Sequence, residues 1–323
     1  MRQGAILCFH SITTPARDAH GTAHVSADGF RRLVMTARQL GEIVPLSELL
    51  SRHAEGRGTA GLVSLTFDDA YAALAEVRDF LSRHAVPIAI FPVIAAASTA
   101  ASFWWDRIDD VFPRVSPEGW RRFETACGVP DEYREGQPRE HGPLRPLRQW
   151  LLAAYAGRWP DELEAALRML EGEAGYQTVH RAMSCDEIAT LSSACDVEIG
   201  VHTLSHPVLP LLGDDELHDE IAAAHQTLRD RFEKVLPVLA VPFGLYDPRT
   251  IGIARAAGMS ASLTLAGGLD QSTEADAVPR VCMTSGSTCA GLALRLLGVP
   301  AMVRRWTRRG GAMSYPPLPS PTT

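Results

Sequence analysis

The sequence predicts an α/β protein in which strands and helices alternate into a closed or nearly closed β/α barrel. Three observations carry that expectation. Short apolar runs of strand length recur along the 323 residues. Helical patterns separate most of them, the signature of parallel βαβ units. Several of the runs also end abruptly on His or Asp, and in β/α barrels the loops at the carboxyl ends of the strands build the active site.

Taken in order, Ala5–Phe9 reads as a strand ending on His10-Ser11. Ser26 is a candidate N-cap for a helix through Leu40, with Phe30, Leu33, Val34, Ala37 and Leu40 on one face and Gly41 as its stop. Ile43-Val44 is a short strand, and Ser47 caps a short helix to about His53. Leu62, Val63, Leu65 and Phe67 form a buried strand that ends on Asp68-Asp69, followed by a helix-like run from Ala70 to His84. Asp is disfavoured inside strands and helix interiors, so the pair is either a helix cap or a piece of chemistry. Pro87–Val93 is a further strand.

The alternation then breaks. Residues 95–183 carry a Trp104-Trp105-Asp106 knot, a Pro/Gly/charge-rich stretch from Pro130 to Pro146 and an amphipathic helix near Asp161–Leu170. They read as a mainly helical insertion in one domain spanning 1–310, with a flexible Pro-rich tail over 311–323. Alternation resumes with a helix at Asp186–Ala194 and the strand Val197–Val201, which runs into His202-Thr203-Leu204-Ser205-His206-Pro207. A helix over Asp215–Phe232 leads to the strand Val238–Val241 and the turn Pro242-Phe243-Gly244. Asp247-Pro248 starts a helix that Gly258 stops. Strands at Ala261–Leu265 and Val278–Met283 make about eight in all.

Composition narrows the function. Apolar residues make up 46% and charged residues 21%, a globular profile. A net charge of −7 argues against nucleic acid as a partner. The basic run Arg304-Arg305-Trp306-Thr307-Arg308-Arg309 reads as a solvated helix end or an anionic-surface contact. The six cysteines are scattered without a Cys-x-x-Cys pair, and several read as small core residues. The first apolar run is too short for a signal peptide, and no stretch approaches the ~20 apolar residues of a membrane span. The expectation is a cytoplasmic protein with reduced thiols.

Taken alone, His10 could be a satisfied strand-end histidine and His202 and His206 two surface histidines of a loop, but two His plus one carboxylate form a known open site for Zn²⁺ or another divalent ion. The His202/His206 spacing is followed by Pro207, so it is not the helical His-Glu-x-x-His of metalloproteases. Thr66-Phe67-Asp68-Asp69 and His202-Thr203-Leu204-Ser205-His206 resemble the first two motifs of the polysaccharide deacetylase family, also called the NodB-homology or carbohydrate esterase 4 family. Ala240-Val241-Pro242-Phe243-Gly244 resembles its third, usually Arg-x-Pro-Tyr/Phe-Gly. Phe9-His10-Ser11-Ile12 resembles the N-terminal Tyr-His-x-Ile/Val motif of circularly permuted members such as poly-N-acetylglucosamine deacetylases.

The resemblance implies a distorted (β/α) barrel of the NodB-homology type that removes N-acetyl groups from an amino sugar in a glycan or glycan precursor. It implies Asp69, His202 and His206 as ligands of one divalent ion, Zn²⁺ first and Co²⁺, Ni²⁺, Mn²⁺ or Fe²⁺ as alternatives. Asp68 would be the base, the Tyr71 N–H an oxyanion donor and His10 the acid, across from Asp68. Pro242, Phe243, Gly244, Trp105 and Arg280 are candidate substrate contacts. Trp104 or Trp105 would stack on a sugar or pack in the core. Two departures stand out. Ala240 replaces the third motif's Arg, and no late Leu-x-His motif follows Arg280. Arg280 is either a stand-in for that Arg or a structural residue. A catalytically weak glycan-binding member, or an amidase on a non-sugar C–N bond, are the competing functions.

Overall fold

Alternation within each strand sorts the side chains of this chain into two cores, and the computed structural model describes residues 4–13, 23–111, 114–131, 145–175, 180–265 and 276–299. The basic run at 304–309 and the tail at 311–323 lie outside these residues, as does most of the stretch from Pro130 to Pro146.

The elements follow in chain order. β1 (Ala5–Phe9), β2 (Ser11–Thr13) and β3 (His24–Ser26) precede α1 (Ala27–Leu40), which is capped by Ser26 accepting from the Gly29 N–H. β4 (Glu42–Ile43), α2 (Leu46–Ala54) and β5 (Leu62–Asp68) follow, then a 3₁₀ turn over Ala72–Val77, α3 (Arg78–Arg83) and β6 (Ile88–Phe91). Among the described residues α4 (Ile94–Thr99), α5 (Trp104–Val111), α6 (Pro117–Ala126), α7 (Arg145–Ala154) and α8 (Asp161–Ala174) come next. α9 (Cys185–Ala194) then leads to β7 (Val197–Val201), α10 (Asp214–Arg231), β8 (Val235–Ala240) and α11 (Pro248–Ala256). β9 (Ala261–Thr264), β10 (Ala277–Pro279), β11 (Val281–Cys282) and α12 (Cys289–Leu296) complete the set.

All pairings in the main sheet are parallel, and the strands follow the path β10-β9-β8-β7-β6-β5-β1-β11, with β4 also on β5. The two ends of that path are consecutive in the chain, separated only by Arg280. The segment from Ala277 to Cys282 therefore joins β9 on one side to β1 on the other, and the sheet is nearly closed into a barrel. The expected distorted β/α barrel is what the chain forms. The expected single strand Val278–Met283 is broken at Arg280, where the backbone switches partners: Arg280 N–H donates to Thr264 O and Met283 N–H to Cys8 O.

Residues pointing outward from the strands, such as Leu7, Phe9, Val63, Leu65, Phe67, Ile90, Ile199 and Leu239, pack under the helices in one large core. Those pointing inward (Ile6, Leu62, Ala89, Phe91, Val238, Ala240, Ala261, Leu263, Val278) form a separate core with Val44, Leu46 and Leu49, the last two from α2. Ser47 does not cap α2, whose N-cap is Pro45; its N–H and hydroxyl instead donate to the inward Glu198, a partner 151 residues away. Helices α5 to α8 enclose an apolar cluster of their own around Trp104, Ile108, Phe123, Leu151, Leu163 and Leu167. Among the described residues no helix is long and apolar enough to cross a membrane.

Inside the barrel, Gly200 of β7 faces Phe91 of β6. A Cβ at residue 200 would stand 2.1 Å from the ring. Gly200→Ala should therefore cost about 1–3 kcal/mol of stability by overpacking, measured by urea unfolding. Phe91→Leu in the same chain should return part of that loss, whereas additive losses would mean the ring is not what the glycine accommodates.

Candidate active site and metal centre

Parallel strands bring their carboxyl ends to one rim, and the inward positions there are the chemical ones. His10 follows β1, Asp68 ends β5, His202 follows β7, and Arg280 sits at the β10–β11 break. The turns after β5, β7 and β8 are held in unusual backbone conformations. Asp69 (φ 64°), Ala70 (φ 49°), Thr203 (φ 67°), His206 (φ 63°) and Phe243 (φ 57°) are left-handed without being glycine. Such residues cost roughly 1–3 kcal/mol each and persist where surrounding contacts over-determine them.

Here those contacts are visible. The Met183 N–H donates to Ala70 O at 2.8 Å and the Ala72 N–H to Arg181 O at 2.9 Å. Glu220, from α10, accepts the Leu204 and Ser205 N–H groups at 2.9 and 3.0 Å and the Ser205 hydroxyl at 2.6 Å. Thr203 Oγ1 accepts the His206 N–H at 2.9 Å. The left-handed pair at Asp69-Ala70 also explains why the expected helix from Ala70 starts late, as a 3₁₀ turn at Ala72. Neither Asp68 nor Asp69 is a helix cap.

Asp69, His202 and His206 converge. Asp69 Oδ1 lies 3.5 Å from His202 Nε2 and 3.5 Å from His206 Nε2, and the two Nε2 atoms are 3.1 Å apart. The His202 Nδ1–H donates to Ala240 O at 2.7 Å, which leaves its Nε2 lone pair facing the other two donors. Asp69 Oδ1 is buried and has no hydrogen-bond partner among the described residues. Donors sharing one divalent ion at ~2.0–2.2 Å stand about 3–3.5 Å apart, so the three atoms fit a cation on spacing, chemistry and the orphaned oxygen together. Burial holds the His206 imidazole down to about 3, and the charge of His202 acts in the same direction, so the ring is held neutral. For His202, burial is outweighed by Asp69 and Asp68, which raise it.

Asp68 has a different partner. Arg280, with a side chain at 0% exposure, donates from Nη1 and Nη2 to its two carboxylate oxygens at 2.7 and 2.6 Å, and from Nη1 to Thr66 Oγ1 at 3.2 Å. Burial raises the Asp68 carboxyl, but the Arg280 guanidinium overrides it and holds Asp68 ionised, well below the usual carboxylate range. Arg280 is thus not a substrate contact; it is sealed beneath Asp68.

His10 is half-buried, and one of its ring nitrogens lies within 4.8 Å of both an Asp68 oxygen and Cys8 Sγ. Two ~2.9 Å hydrogen bonds meeting at one tetrahedral centre span about 4.7 Å, so a single atom can touch both groups. Tyr71 is buried; its hydroxyl donates to Asp106 at 2.5 Å and accepts from Trp105 Nε1 at 3.1 Å. Its backbone N–H makes no hydrogen bond among the described residues. Burial and then the charges of Asp106 and Asp69 push the Tyr71 phenol well up, so it stays neutral.

Trp105 and Phe243 flank His206, with ring centroids 5.1 and 4.4 Å from it. Trp105 is half-buried and stacks on Phe103 at 4.8 Å, whereas its neighbour Trp104 is buried in the helical cluster. Pro242 is buried, and a Cβ at Gly244 (φ 69°) would stand 2.7 Å from Leu265 Cβ. The Pro242–Gly244 turn is thus a packed wall beside His206. Sequence reasoning missed Glu220 and Asp106, because ordinary acidic residues on helices carry no local signal of a partner many residues away. It also passed over Cys8 and Cys282, which read as core.

Residues 153–262 match the family described as Polysaccharide deacetylase, a span that includes His202, His206 and the Pro242–Gly244 turn but not Asp68. The resemblance read from the motifs is borne out. No curated protein sequence matches the chain. Among solved structures, the Streptococcus pyogenes deacetylase PplD in complex with acetate is similar over 92% of this chain and 98% of its own, at 14% identity and a TM-score of 0.58. IcaB from Ammonifex degensii is similar over 92% and 97%, at 17% identity and a TM-score of 0.57. BC0361, a polysaccharide deacetylase from Bacillus cereus, is similar over 91% and 69%, at 12% identity and a TM-score of 0.56. At these identities the likeness is one of fold.

Breaking the ion pair should be severe. Arg280→Met leaves a buried unpaired carboxylate and should cost about 3–5 kcal/mol in urea unfolding, whereas adding Asp68→Asn should return much of it. Equal losses in both variants would show that the fold does not depend on that charge. At the triad, a divalent ion at 100 times its Kd should stabilise the protein by about 2.7 kcal/mol in a thermal melt. His206→Ala should abolish that gain, and a gain that survives it would place the ion elsewhere.

Proposed function

We propose that this chain is a metal-dependent carbohydrate deacetylase that hydrolyses the N-acetyl group of an amino sugar in a glycan or glycan precursor. The observation that carries the reading is the pairing of two unlike carboxylate sites on one rim. Asp69 faces two imidazoles with a cation-sized gap, and the adjacent Asp68 is held ionised by Arg280. The match of residues 153–262 to the family supports the substrate class, and the similar structures include one described as a deacetylase with acetate bound.

In this reading Asp68 takes the proton of the attacking water. Its two oxygens already accept from Arg280, but a carboxylate has further lone pairs to offer, and the bidentate clamp fixes the direction they face. A carboxylate held so low takes a proton readily only from a water already acidified. That acidity, with polarisation of the scissile carbonyl, is the chemistry a divalent ion supplies when bound by Asp69, His202 and His206. The Tyr71 N–H donates to the oxygen on which negative charge develops. His10 donates a proton to the departing amine nitrogen as the general acid across from Asp68. Trp105 and Phe243 shield the site beside His206, and Trp105 is the aromatic face we assign to a sugar ring. Zn²⁺ is the first choice for a His₂Asp donor set, with Co²⁺, Ni²⁺, Mn²⁺ and Fe²⁺ as alternatives.

The Arg280 clamp bears on the competing idea of an inactive glycan binder, because a guanidinium reaches Asp68 although Ala240 stands at the third motif's Arg position. The test is acetate release from a panel of N-acetylated oligosaccharides, with and without chelator. Wild type should release acetate and chelator should stop it. Asp68→Asn should lower turnover by at least about 100-fold, the usual contribution of a positioned base, while metal occupancy is retained. His10→Ala should depress kcat far more than metal affinity. Glycan binding without acetate release would favour the inactive reading, and release only from non-sugar amides would favour an amidase.

A further inference from the structure

A second group of ligand-type side chains stands on the same rim, outside the Asp69–His202–His206 triad. Alternation along β1 turns Cys8 and then His10 toward the barrel interior, and the parallel register of β1 with β11 places Cys282 directly beside Cys8. Cys8 Sγ donates to Asp68 Oδ2 at 3.5 Å and Cys282 Sγ to Met283 O at 3.9 Å, and neither cysteine is in a disulfide. Cys8 Sγ, a His10 ring nitrogen and an Asp68 oxygen all lie within 4.8 Å of one another. Cys8 itself is fully buried, while Cys282 and His10 are half-buried, so the group is reached from the rim. His10 Nδ1 is buried with no hydrogen-bond partner among the described residues.

Two neighbouring thiols are more than packing requires at these positions. Sulfur and imidazole together form a soft-to-borderline donor set, unlike the oxygen-containing triad beside them, and Zn²⁺ accepts both at ~2.0–2.3 Å. Arg280 clamps both Asp68 oxygens and fixes their direction, so the groups free to turn onto an ion are the Cys8 and Cys282 thiols and the His10 imidazole.

We propose that Cys8, Cys282 and His10 form a second cation site that takes thiophilic divalent ions such as Zn²⁺ or Cd²⁺ and, when filled, withdraws His10 from the reaction. The binding half of this inference stands on the β1–β11 register, which sets Cys282 beside Cys8, and on the spacing of Cys8 from His10; the blocking half rests on the function proposed above. Excess Zn²⁺ would then inhibit the same protein that a first equivalent activates. The thiols release their protons on binding, so no oxidant or reductant is needed.

Cd²⁺ added to the reduced, ion-free protein reports the site directly through the ultraviolet thiolate-to-cadmium charge-transfer band. The band should saturate at one equivalent bound through sulfur. Cys282→Ser should weaken it by more than about tenfold, since losing a ligand costs more than losing an outer partner, itself worth ~10–100-fold. Asp69→Asn should leave the band intact, which separates the two centres. No band, or a band undiminished in Cys282→Ser, overturns the site, because the thiolates would then come from Cys127, Cys185, Cys195 or Cys289. For the second half, acetate release at rising Zn²⁺ should fall at a concentration at least about tenfold higher in Cys282→Ser than in wild type. Equal sensitivity overturns the blocking role. If no variant turns over any glycan while the sulfur band behaves as described, it is the proposed function that fails and the cation site that stands.

Discussion

An arginine with no exposure inside a parallel barrel must have its charge answered, and Asp68 answers it with both oxygens. The desolvation of two such groups is worth several kcal/mol each, and only good geometry returns it. The pair therefore constrains both ends. On one side it fixes Arg280 at the point where the last strand leaves β9 for β1, which is the seam of the barrel. On the other it fixes the orientation and ionisation of the carboxylate at the end of β5. Ala240, at the third motif's Arg position, instead uses its backbone carbonyl to set the tautomer of His202. The guanidinium comes from a strand two places away along the sheet, so one polar contact serves both barrel closure and the site.

The strained turns carry a related constraint. Five of the eight non-glycine residues with positive φ among those described are at Asp69, Ala70, Thr203, His206 and Phe243, all in the turns that present the site. A relaxed turn after β5 would let the helix begin at Ala70 and send Asp69 toward its first-turn N–H groups. The left-handed pair prevents this, and hydrogen bonds from Ala72 and Met183 hold it in place. Glu220 does the same for the His202–His206 turn by occupying two N–H groups and a hydroxyl. Rigidity at Asp69, His202 and His206 is thus supplied from α10 and from the segment before α9.

Much of this was legible in the chain because it is local or periodic. The strand runs, the Ser26 cap, the Asp247-Pro248 helix start and the motif residues at strand ends all rest on patterns within a few residues. What was not legible rests on contacts across the sheet. The Arg280–Asp68 pair spans 212 residues, and nothing near Arg280 distinguishes a clamp from a substrate contact or a structural arginine. Ser47 has the look of a cap, yet a buried acid on β7 takes its hydroxyl. Trp104 and Trp105 were interchangeable in sequence. The helix turns one into its own cluster and the other onto His206 and Tyr71. Cys8 and Cys282 become a pair only when β11 lies beside β1 in register.

The barrel interior shows how a few small residues set the chemistry above them. Its lower layers are apolar, from Ile6, Leu62, Val238 and Val278, and the layer at the carboxyl ends is polar, with Cys8, Thr66, Asp68, His202 and Arg280. Phe91 of β6 is paired in register with Asp68, at the level of the polar layer. Gly200 leaves the space its ring fills, since any side chain there would collide with it. The Arg280 guanidinium carbon sits 5.8 Å from the centre of that ring, within cation–π range. An aromatic face can bear a cation without competing for its hydrogen bonds, so the guanidinium keeps its N–H groups for Asp68 and Thr66. A missing side chain on β7 thereby admits a ring on β6. That ring supports the charge on the closing segment, and the charge holds the carboxylate on β5 ionised beside the Asp69–Ala70 turn.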